Sequence, residues 1–399
     1  MFNIIDLGTS KITGITVKES NGMQKVVGFS SKSTAGLKKG SIINITETSK
    51  TIAEVIEDLQ NQSGENIRVV DVSFSGELIS STNSTGLATI SDKEVSVKDQ
   101  QSALQTSIAM NVPGDKELLN VVPSQYIIDG QPGIKEPKGM TGVRLEVRTH
   151  LVYCSKNSIS NICKCIEEIN GLQINKFYFN QLGAAKCTLS DDQIDLGVCL
   201  LDIGAGTTDL TVFKNGSLIF SKVLPYAGDY ITESIAIALK IPSSQAEELK
   251  KRYGSSISDR VADESLKING IGGETDFKIS KRMLCEVIEQ SISNIFRSCM
   301  GCIEENGLQD SIPAGFILSG GTANLENIEE LGSAITQNSF KIGYPENEPP
   351  LNSEKLIKPQ YGAPLGMVKF CAEEQNKEFT FNQSKGIIAR VLDWLKSEM

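Results

Sequence analysis

Two short segments of the chain have the residue types that bind phosphate groups. Residues 6–11 read DLGTSK, and residues 202–209, in the second half of the chain, read DIGAGTTD. A polyphosphate needs backbone N–H donors close to its oxygens, and glycine lets the main chain approach that closely. Small hydroxyl side chains add donors without bulk, and a lysine adds positive charge. The phosphate-binding candidates are therefore Gly8, Thr9, Ser10, Lys11, Gly204, Gly206, Thr207 and Thr208.

The aspartate that opens each segment is a candidate for holding Mg²⁺. Asp6 and Asp202 each stand where an apolar run ends, and Mg²⁺ prefers oxygen ligands while keeping several of its waters. The alternative is that each Asp-x-Gly is an ordinary hairpin turn, because both residue types are common in turns. Two copies in matching contexts favour a phosphate and magnesium site.

The surroundings of the two segments also match. Short apolar runs precede them at 2–5 and 198–201, and β-rich runs follow them at 12–17 and 210–213. Two copies of strand, Asp-x-Gly and strand, half a chain apart, predict two similar domains that face one nucleotide.

Length and composition exclude several classes of protein. A chain of 399 residues exceeds the size of a single core, and 39% hydrophobic with 22% charged residues is typical of a soluble globular protein. The net charge of −10 argues against a nucleic-acid partner, which requires a basic face. The N-terminus lacks a basic region, so no signal peptide is expected, and no apolar run approaches the ~20 residues of a membrane span. We expect a cytoplasmic protein, as the nine cysteines also indicate.

A structural zinc site and histidine-dependent hydrolysis are not expected. The pairs Cys163/Cys165 and Cys299/Cys302 lie in apolar helical patterns, where cysteine behaves as a small buried hydrophobe. His150 is the single histidine, so a Ser-His-Asp or Cys-His catalytic arrangement would have to use it.

Hydrophobic periodicity places helices and strands around these segments. We expect helices at 45–60, 95–110, 158–170, 181–189, 229–239, 243–253, 280–305, 328–335 and 360–372. Strands are expected at 67–75, 118–122, 124–129, 143–152, 172–179 and 316–318. On the long helix 280–305 the inward face is predicted to include Met283, Leu284, Val287, Ile288, Ile292, Ile295 and Phe296. Between about residues 83 and 156 the pattern changes and predicts a small inserted α/β module.

Five groups of residues resemble one known family, the bacterial cell-division protein FtsA, which is an actin-like ATP-binding family. They are 5–14, 200–212, 315–324, 224–229 with 245–254, and 122–130 with 139–144. The last group resembles the FtsA-specific subdomain, which separates FtsA from other actin-like proteins. The resemblance runs from about Phe2 to Ala372 and resumes at the C-terminus.

The resemblance implies an α/β actin-like fold of the actin, Hsp70 and sugar-kinase type. Two domains would enclose a nucleotide cleft, with an FtsA-type inserted subdomain. The implied limits are 1–82 with 157–197 for subdomain 1A, 83–156 for the inserted 1C, 198–226 with 314–372 for 2A, and 227–313 for 2B. A linker at 373–384 and a membrane-targeting helix at 385–399 would follow.

The resemblance also assigns ATP and Mg²⁺ to this cleft. Gly8 to Lys11 would contact the phosphates from one side, and Gly204, Gly206, Thr207 and Thr208 from the other. Asp6 and Asp202 would face the metal and its waters. Glu247 and Lys250 would contact ribose and adenine, although an ordinary surface pair is the alternative. Gly320, Gly321 and Thr322 would lie at the adenosine.

One departure concerns hydrolysis. Asn180 stands about where hydrolytic actin-like proteins carry a Gln or Glu that positions the attacking water, and Gln181 is adjacent. Because neither side chain is a strong base, we expect weak ATPase activity at most, with ATP as a structural or switching ligand. Asp202 and Asn180 are the candidates for positioning water or Mg²⁺.

The C-terminal segment 385–399 is predicted to be an amphipathic helix. It is too short to span a membrane, but an aromatic and basic residues beside an apolar face are typical of helices that lie in the membrane interface. The alternative is a helix docked on its own domain; the preceding polar linker and the resemblance favour the membrane. The candidate membrane residues are Lys385, Ile387, Ile388, Arg390, Val391, Leu392, Trp394, Leu395 and Lys396.

The function implied by the resemblance is that of an ATP-binding, polymerising division protein. It would tether filaments of the tubulin-like protein FtsZ, through the FtsZ C-terminal peptide bound around 227–313, to the inner face of the cytoplasmic membrane at the septum. Other copies of the chain, later division proteins and membrane lipids would be further partners. The alternatives are an actin-like protein of a pilus or secretion machine and a small-molecule kinase of the same superfamily.

Overall fold

The computed structural model describes residues 1–20, 23–109, 113–262, 264–268, 277–345 and 356–381. The strands in these residues are β1 (Phe2–Leu7), β2 (Lys11–Ser20), β3 (Met23–Ser33), β4 (Leu37–Lys38), β5 (Ser41–Ile42), β6 (Val69–Phe74), β7 (Ile79–Thr89), β8 (Lys116–Ile128), β9 (Gln131–Ile134), β10 (Arg144–Ser155), β11 (Gln173–Phe179), β12 (Val198–Ile203), β13 (Thr208–Lys214), β14 (Ser217–Leu224), β15 (Ser265–Ile268), β16 (Phe277–Ser280), β17 (Phe316–Ser319) and β18 (Phe340–Ile342).

The helices connect and cover these strands. They are α1 (Ile45–Ser63), α2 (Val97–Ala109), α3 (Lys156–Cys163), α4 (Gln181–Thr188), α5 (Asp191–Leu196), α6 (Gly228–Leu239), α7 (Ser243–Tyr253), α8 (Lys281–Glu305), α9 (Ile328–Thr336) and α10 (Gly362–Phe381). Within the described residues, no helix combines the length and the apolar character needed to cross a membrane.

Two five-stranded sheets have the same strand arrangement. Sheet one has the order β3-β2-β1-β6-β11, and sheet two has the order β14-β13-β12-β17-β18. In each, three antiparallel strands form a meander, and the first of them pairs in parallel with the next strand across. The predicted pair of similar domains is therefore confirmed. We call sheet one with its helices the first lobe and sheet two with its helices the second lobe.

The central strand of each lobe is buried along its whole length. All six residues of β1 and all six of β12 are buried, as expected for strands that helices cover on both faces. Each buried strand ends in the Asp-x-Gly segment. The Asp-x-Gly segments consequently lie at equivalent edges of the two sheets.

The inserted module has its own sheet, in the order β7-β10-β8-β9, with α2 packed against it. Its first strand begins at Ile79, four residues before the expected limit of 83. The predicted break at Pro123 is wrong, because β8 runs through it as one strand. A register shift at this point pairs Pro123 with Thr149 and Gln125 with Arg148, so a bulge accommodates the missing N–H of proline.

Three further expectations differ from the structure. The helix expected at 158–170 is α3 followed by a π-helical turn, Lys164–Glu168. Met283 does not face inward: it lies in the first turn of α8 and is 44% exposed. The final helix does not end at Ala372 but continues to Phe381, because residues 373–381 contain no glycine or proline. The expected membrane helix at 385–399 lies outside the described residues.

Candidate functional site

The two Asp-x-Gly segments form tight turns that touch each other. The backbone N–H of Gly8 donates to the Lys11 carbonyl at 3.1 Å, and that of Gly204 donates to the Thr207 carbonyl at 3.0 Å. A Cβ atom on Gly206 would lie only 2.5 Å from Thr9 Oγ1. The fold therefore brings the two predicted phosphate segments together, and a side chain at Gly206 would push them apart.

A third turn joins them that the sequence did not reveal. Lys39 and Gly40, between β4 and β5, both have positive φ (50° and 75°), as in the type I′ turn of a two-residue hairpin. The Gly40 N–H donates to Thr9 Oγ1 at 2.9 Å. A Cβ on Gly206 would also come within 2.8 Å of Lys39 Cα. The sequence signal for this turn was limited to the Lys39-Gly40 pair, which stands between the apolar residues Leu37 and Ile42.

Buried carboxyl groups lie at the base of the turns. The pKa of Asp6 is raised to about 6, chiefly by burial and further by the nearby Asp202 carboxylate, while a Ser73 hydroxyl bond at 2.8 Å opposes the rise. Burial also raises the pKa of Asp202. Burial lowers the pKa of Lys11 to about 8 against the pull of both carboxylates. One ammonium group thus faces two buried carboxyl groups, and this excess of negative charge fits a hydrated divalent cation.

The side chain of Lys11 leaves the turn and contacts residues 360–361. Its Nζ donates to the Gln360 carbonyl at 3.0 Å and lies 3.9 Å from the centre of the Tyr361 ring. This cation–π contact fixes the ammonium beside the carboxyl groups. The Thr208 hydroxyl is fully buried and donates to the Tyr226 carbonyl at 2.6 Å, which braces the second turn.

Two more residues complete the base of the site: Gln181, which the sequence placed beside the candidate Asn180, and Asp209, which had no predicted role. Gln181 Nε2 lies 3.1 Å from Asp202 Oδ2 and 3.0 Å from Asp209 Oδ2. Ser75 donates to the other oxygen of Asp209, and Asn180 hydrogen-bonds to Asp6. The register pairs Asp202 directly with Asp209, so the last residue of the DIGAGTTD segment was the available signal.

The predicted adenosine segment contacts the second turn. Gly320 has a φ of 85°, and a Cβ there would collide with Asp202 Oδ1. Thr322 Oγ1 donates to the Gly204 carbonyl at 2.9 Å. By contrast, a Cβ on Gly321 would meet no atom within 4 Å. The segment is therefore tied to the phosphate turn on one side and open on the other, as a ligand cradle requires.

Glu247 and Lys250 are not an ordinary surface pair. Lys250 is only 8% exposed, and its Nζ donates to the Gly228 carbonyl at 2.8 Å and to Glu247 Oε2 at 2.6 Å. Burial acts to raise the pKa of Glu247, but the Lys250 ammonium outweighs it and the pKa falls to about 2. The Gly228 N–H in turn donates to the Gly204 carbonyl at 3.1 Å. Gly228 therefore connects the Glu247–Lys250 pair to the second turn.

Comparison with known proteins identifies two matching family models. The model of cell division protein FtsA matches residues 199–366, and that of the SHS2 domain inserted in FtsA matches residues 76–153, which include the inserted module from β7 to most of β10. Cell division protein FtsA of Pseudomonas aeruginosa is 34% identical over 382 residues, which cover 95% of this chain and 91% of the relative.

Solved structures show the same fold at low identity. The PilM-PilN type IV pilus biogenesis complex gives a TM-score of 0.65 at 15% identity, over 92% of this chain and 97% of that chain. MreB5 of Spiroplasma citri bound to ADP gives a TM-score of 0.56 at 16% identity, over 96% and 98%. Such likeness establishes the fold alone, and the fold is actin-like.

Proposed function

Because the chain belongs to the FtsA family of cell division proteins, we propose that it binds Mg-ATP between its two lobes as a structural or switching ligand. The main supporting observation is that two Asp-x-Gly turns, one from each lobe, meet in the structure. Beneath them lie buried carboxyl groups whose negative charge exceeds the single positive charge of Lys11. The likeness in fold to MreB5, whose solved structure holds ADP, supports a nucleotide in this cleft.

Each group has a distinct task in this proposal. Backbone N–H groups of the two turns and the hydroxyls of Thr9, Ser10 and Thr207 hold the phosphates, with Lys11 as the cation beside them. The Thr208 hydroxyl, predicted to join them, is buried and bonded to the Tyr226 carbonyl instead. Asp6 and Asp202 accept hydrogen bonds from magnesium-bound waters. Bound magnesium would supply the charge that screens the carboxyl groups and the phosphates from one another.

The adenosine is assigned to the open side of residues 320–322 and to the Glu247–Lys250 pair. Glu247 and Lys250 are held in place by Gly228 and by a hydrogen bond between Thr232 and Glu247, so they present a fixed edge of the cleft. Asn180 and Gln181 are amides without basic strength, and Asn180 is already engaged with Asp6. This arrangement favours binding over rapid hydrolysis.

Substitution of Gly321 tests the site without disturbing the fold. Gly321→Arg places a long side chain in open space at the adenosine segment, so we expect a folded protein that no longer binds Mg-ATP. Gly301 on α8 also has open space beyond its Cβ, and Gly301→Arg is the matched control. Isothermal titration calorimetry checks both variants. Equal affinity of Gly321→Arg and the unaltered protein would contradict the assignment.

We further propose that the protein forms filaments and recruits FtsZ to the cytoplasmic membrane. Family membership supports FtsZ and later division proteins as partners, with the FtsZ C-terminal peptide on residues 227–313. The sequence of 385–399 supports a peripheral membrane helix. One such short helix binds reversibly, and assembly into a filament multiplies the number of helices that reach the same surface. In this proposal the chain acts on the inner face of the membrane at the septum.

A further inference from the structure

Asp209 of the second lobe is bound by side chains from two strand ends of the first lobe. Ser75 directly follows β6, and Gln181 lies two residues after β11. These strands are parallel neighbours in sheet one, so their carboxyl ends meet at the same edge. Ser75 Oγ donates to Asp209 Oδ1, and Gln181 Nε2 lies 3.0 Å from Asp209 Oδ2. Ser75 therefore holds one oxygen of this buried carboxyl group from the opposite lobe. Gln181 holds the other from the junction of the lobes, because it follows β11 and opens α4, whose buried residues pack against strands of sheet two.

Gln181 also joins Asp209 to Asp202. It is fully buried at the start of α4, and its Nε2 is within 3.1 Å of Asp202 Oδ2 and Asn180 Oδ1 as well. An amide nitrogen has two hydrogens, and here it faces three acceptors. Gln181 thus links Asp202, which is predicted to face Mg²⁺, to Asp209, which is not.

The amide oxygen of Gln181 provides a second, independent observation. It is buried, and it has no hydrogen-bond partner among the described residues. Buried amide oxygens are normally satisfied, and one that is not marks a place where a donor is expected to arrive. A water in the shell of Mg²⁺ is a donor of the right kind.

We propose that Ser75, Gln181 and Asp209 form a latch that holds the lobes closed and positions Asp202 for the magnesium nucleotide. The latch rests on the proposed nucleotide site. It adds three residues that the proposed function does not place in contact with the nucleotide. Gln181 and Asp209 are positioning residues, because they act on Asp202. Closure and ligand binding are linked since Asp202 takes part in both.

The test compares Gln181→Leu with the unaltered full chain. Leucine retains the bulk of the side chain but removes its hydrogen bonds. Gln101→Leu is the matched control, because Gln101 is a buried glutamine on α2 in the inserted module. Ser75→Ala is a milder second variant that removes one hydrogen bond, which keeps the test valid should Gln181→Leu fail to fold.

Hydrogen exchange without nucleotide measures the latch directly. We expect backbone amides of residues 74–78 and 203–209 to exchange at least tenfold faster in Gln181→Leu, and faster to a smaller degree in Ser75→Ala. The Gln101→Leu control is expected to match the unaltered protein there. Exchange in Gln181→Leu and Ser75→Ala that stays within twofold of the control would overturn the latch.

Affinity for Mg-ADP then measures the coupling. We expect at least tenfold weaker binding for Gln181→Leu, and a double variant with Ser75→Ala that loses less than the product of the two single losses, because both act through Asp209. Multiplicative losses would count against a single latch. If the unaltered chain binds no nucleotide while the exchange result holds, the proposed function and the positioning of Asp202 fail, and the contact that holds the lobes together stands.

Discussion

At the scale of single residues, type and spacing identified the turns but not their supports. The glycines and aspartates of the two segments could be predicted because tight approach of backbone to phosphate has few chemical solutions. The burial of Lys250, the position of Gln181 and the role of Asp209 could not, since each depends on segments far apart in the chain. A glutamine beside a candidate asparagine has no distinguishing sequence pattern.

Lys250 gives a residue-scale prediction for the protein without nucleotide. Lys250→Met removes the ammonium that Glu247, Thr232 and the Gly228 carbonyl share, and leaves a half-buried carboxylate with Lys251 as its remaining cation. We expect a loss of about 3 kcal/mol in the free energy of unfolding. Lys251→Met, the exposed neighbour in the same network, should cost about 0.5 kcal/mol. Urea denaturation measures both, and equal losses would disprove the special role of Lys250.

At the scale of elements, regular helices and strands were predicted well and their irregularities were not. Periodicity located α1 and α8 because a long apolar stripe has one interpretation. It failed at Pro123, where pairing with β10 keeps the strand intact through a bulge, and at the end of α10. Local composition and spacing cannot predict where a neighbouring strand will lie.

His150 is one of the residues that join the inserted module to sheet two. Its Nδ1 lies 2.6 Å from Asn83 Oδ1, and its Nε2 lies 2.8 Å from Ser221 Oγ on β14. Asn83 uses its amide nitrogen on the Ile219 carbonyl, so its oxygen is the acceptor. Nδ1 therefore donates, and Nε2 accepts from the serine. This arrangement requires a neutral ring, and burial lowers the pKa of His150 to about 4.

The contribution of His150 to stability should therefore fall as the pH drops. The unfolded histidine gains its proton near its ordinary pKa of 6.5, whereas the folded one remains neutral to about 4. The contribution is complete above pH 6.5 and is lost progressively between 6.5 and 4, by about 3 kcal/mol. His150→Gln should have a flatter pH dependence over this window. Urea denaturation at pH 7, 6 and 5 measures the difference, and parallel curves would refute the assignment.

At the scale of the whole molecule, duplication determines the architecture. Two sheets of identical strand order place two equivalent turns against each other, and this could be predicted because both copies keep the same local pattern. The inserted module was recognised by a change of pattern. Its hydrogen bonds to sheet two, although it emerges from the first lobe, were not predictable.

Recruitment of FtsZ to lipid vesicles tests the central claim most directly. FtsZ of the same organism is sedimented with anionic vesicles alone, with the full chain and Mg-ATP, or with a chain that ends at Gln383. On the proposed function, in which the tail binds lipid and residues 227–313 bind the FtsZ C-terminal peptide, we predict that FtsZ enters the pellet only with the full chain. FtsZ that stays in the supernatant with the full chain, or sediments equally with the shortened one, would contradict the account.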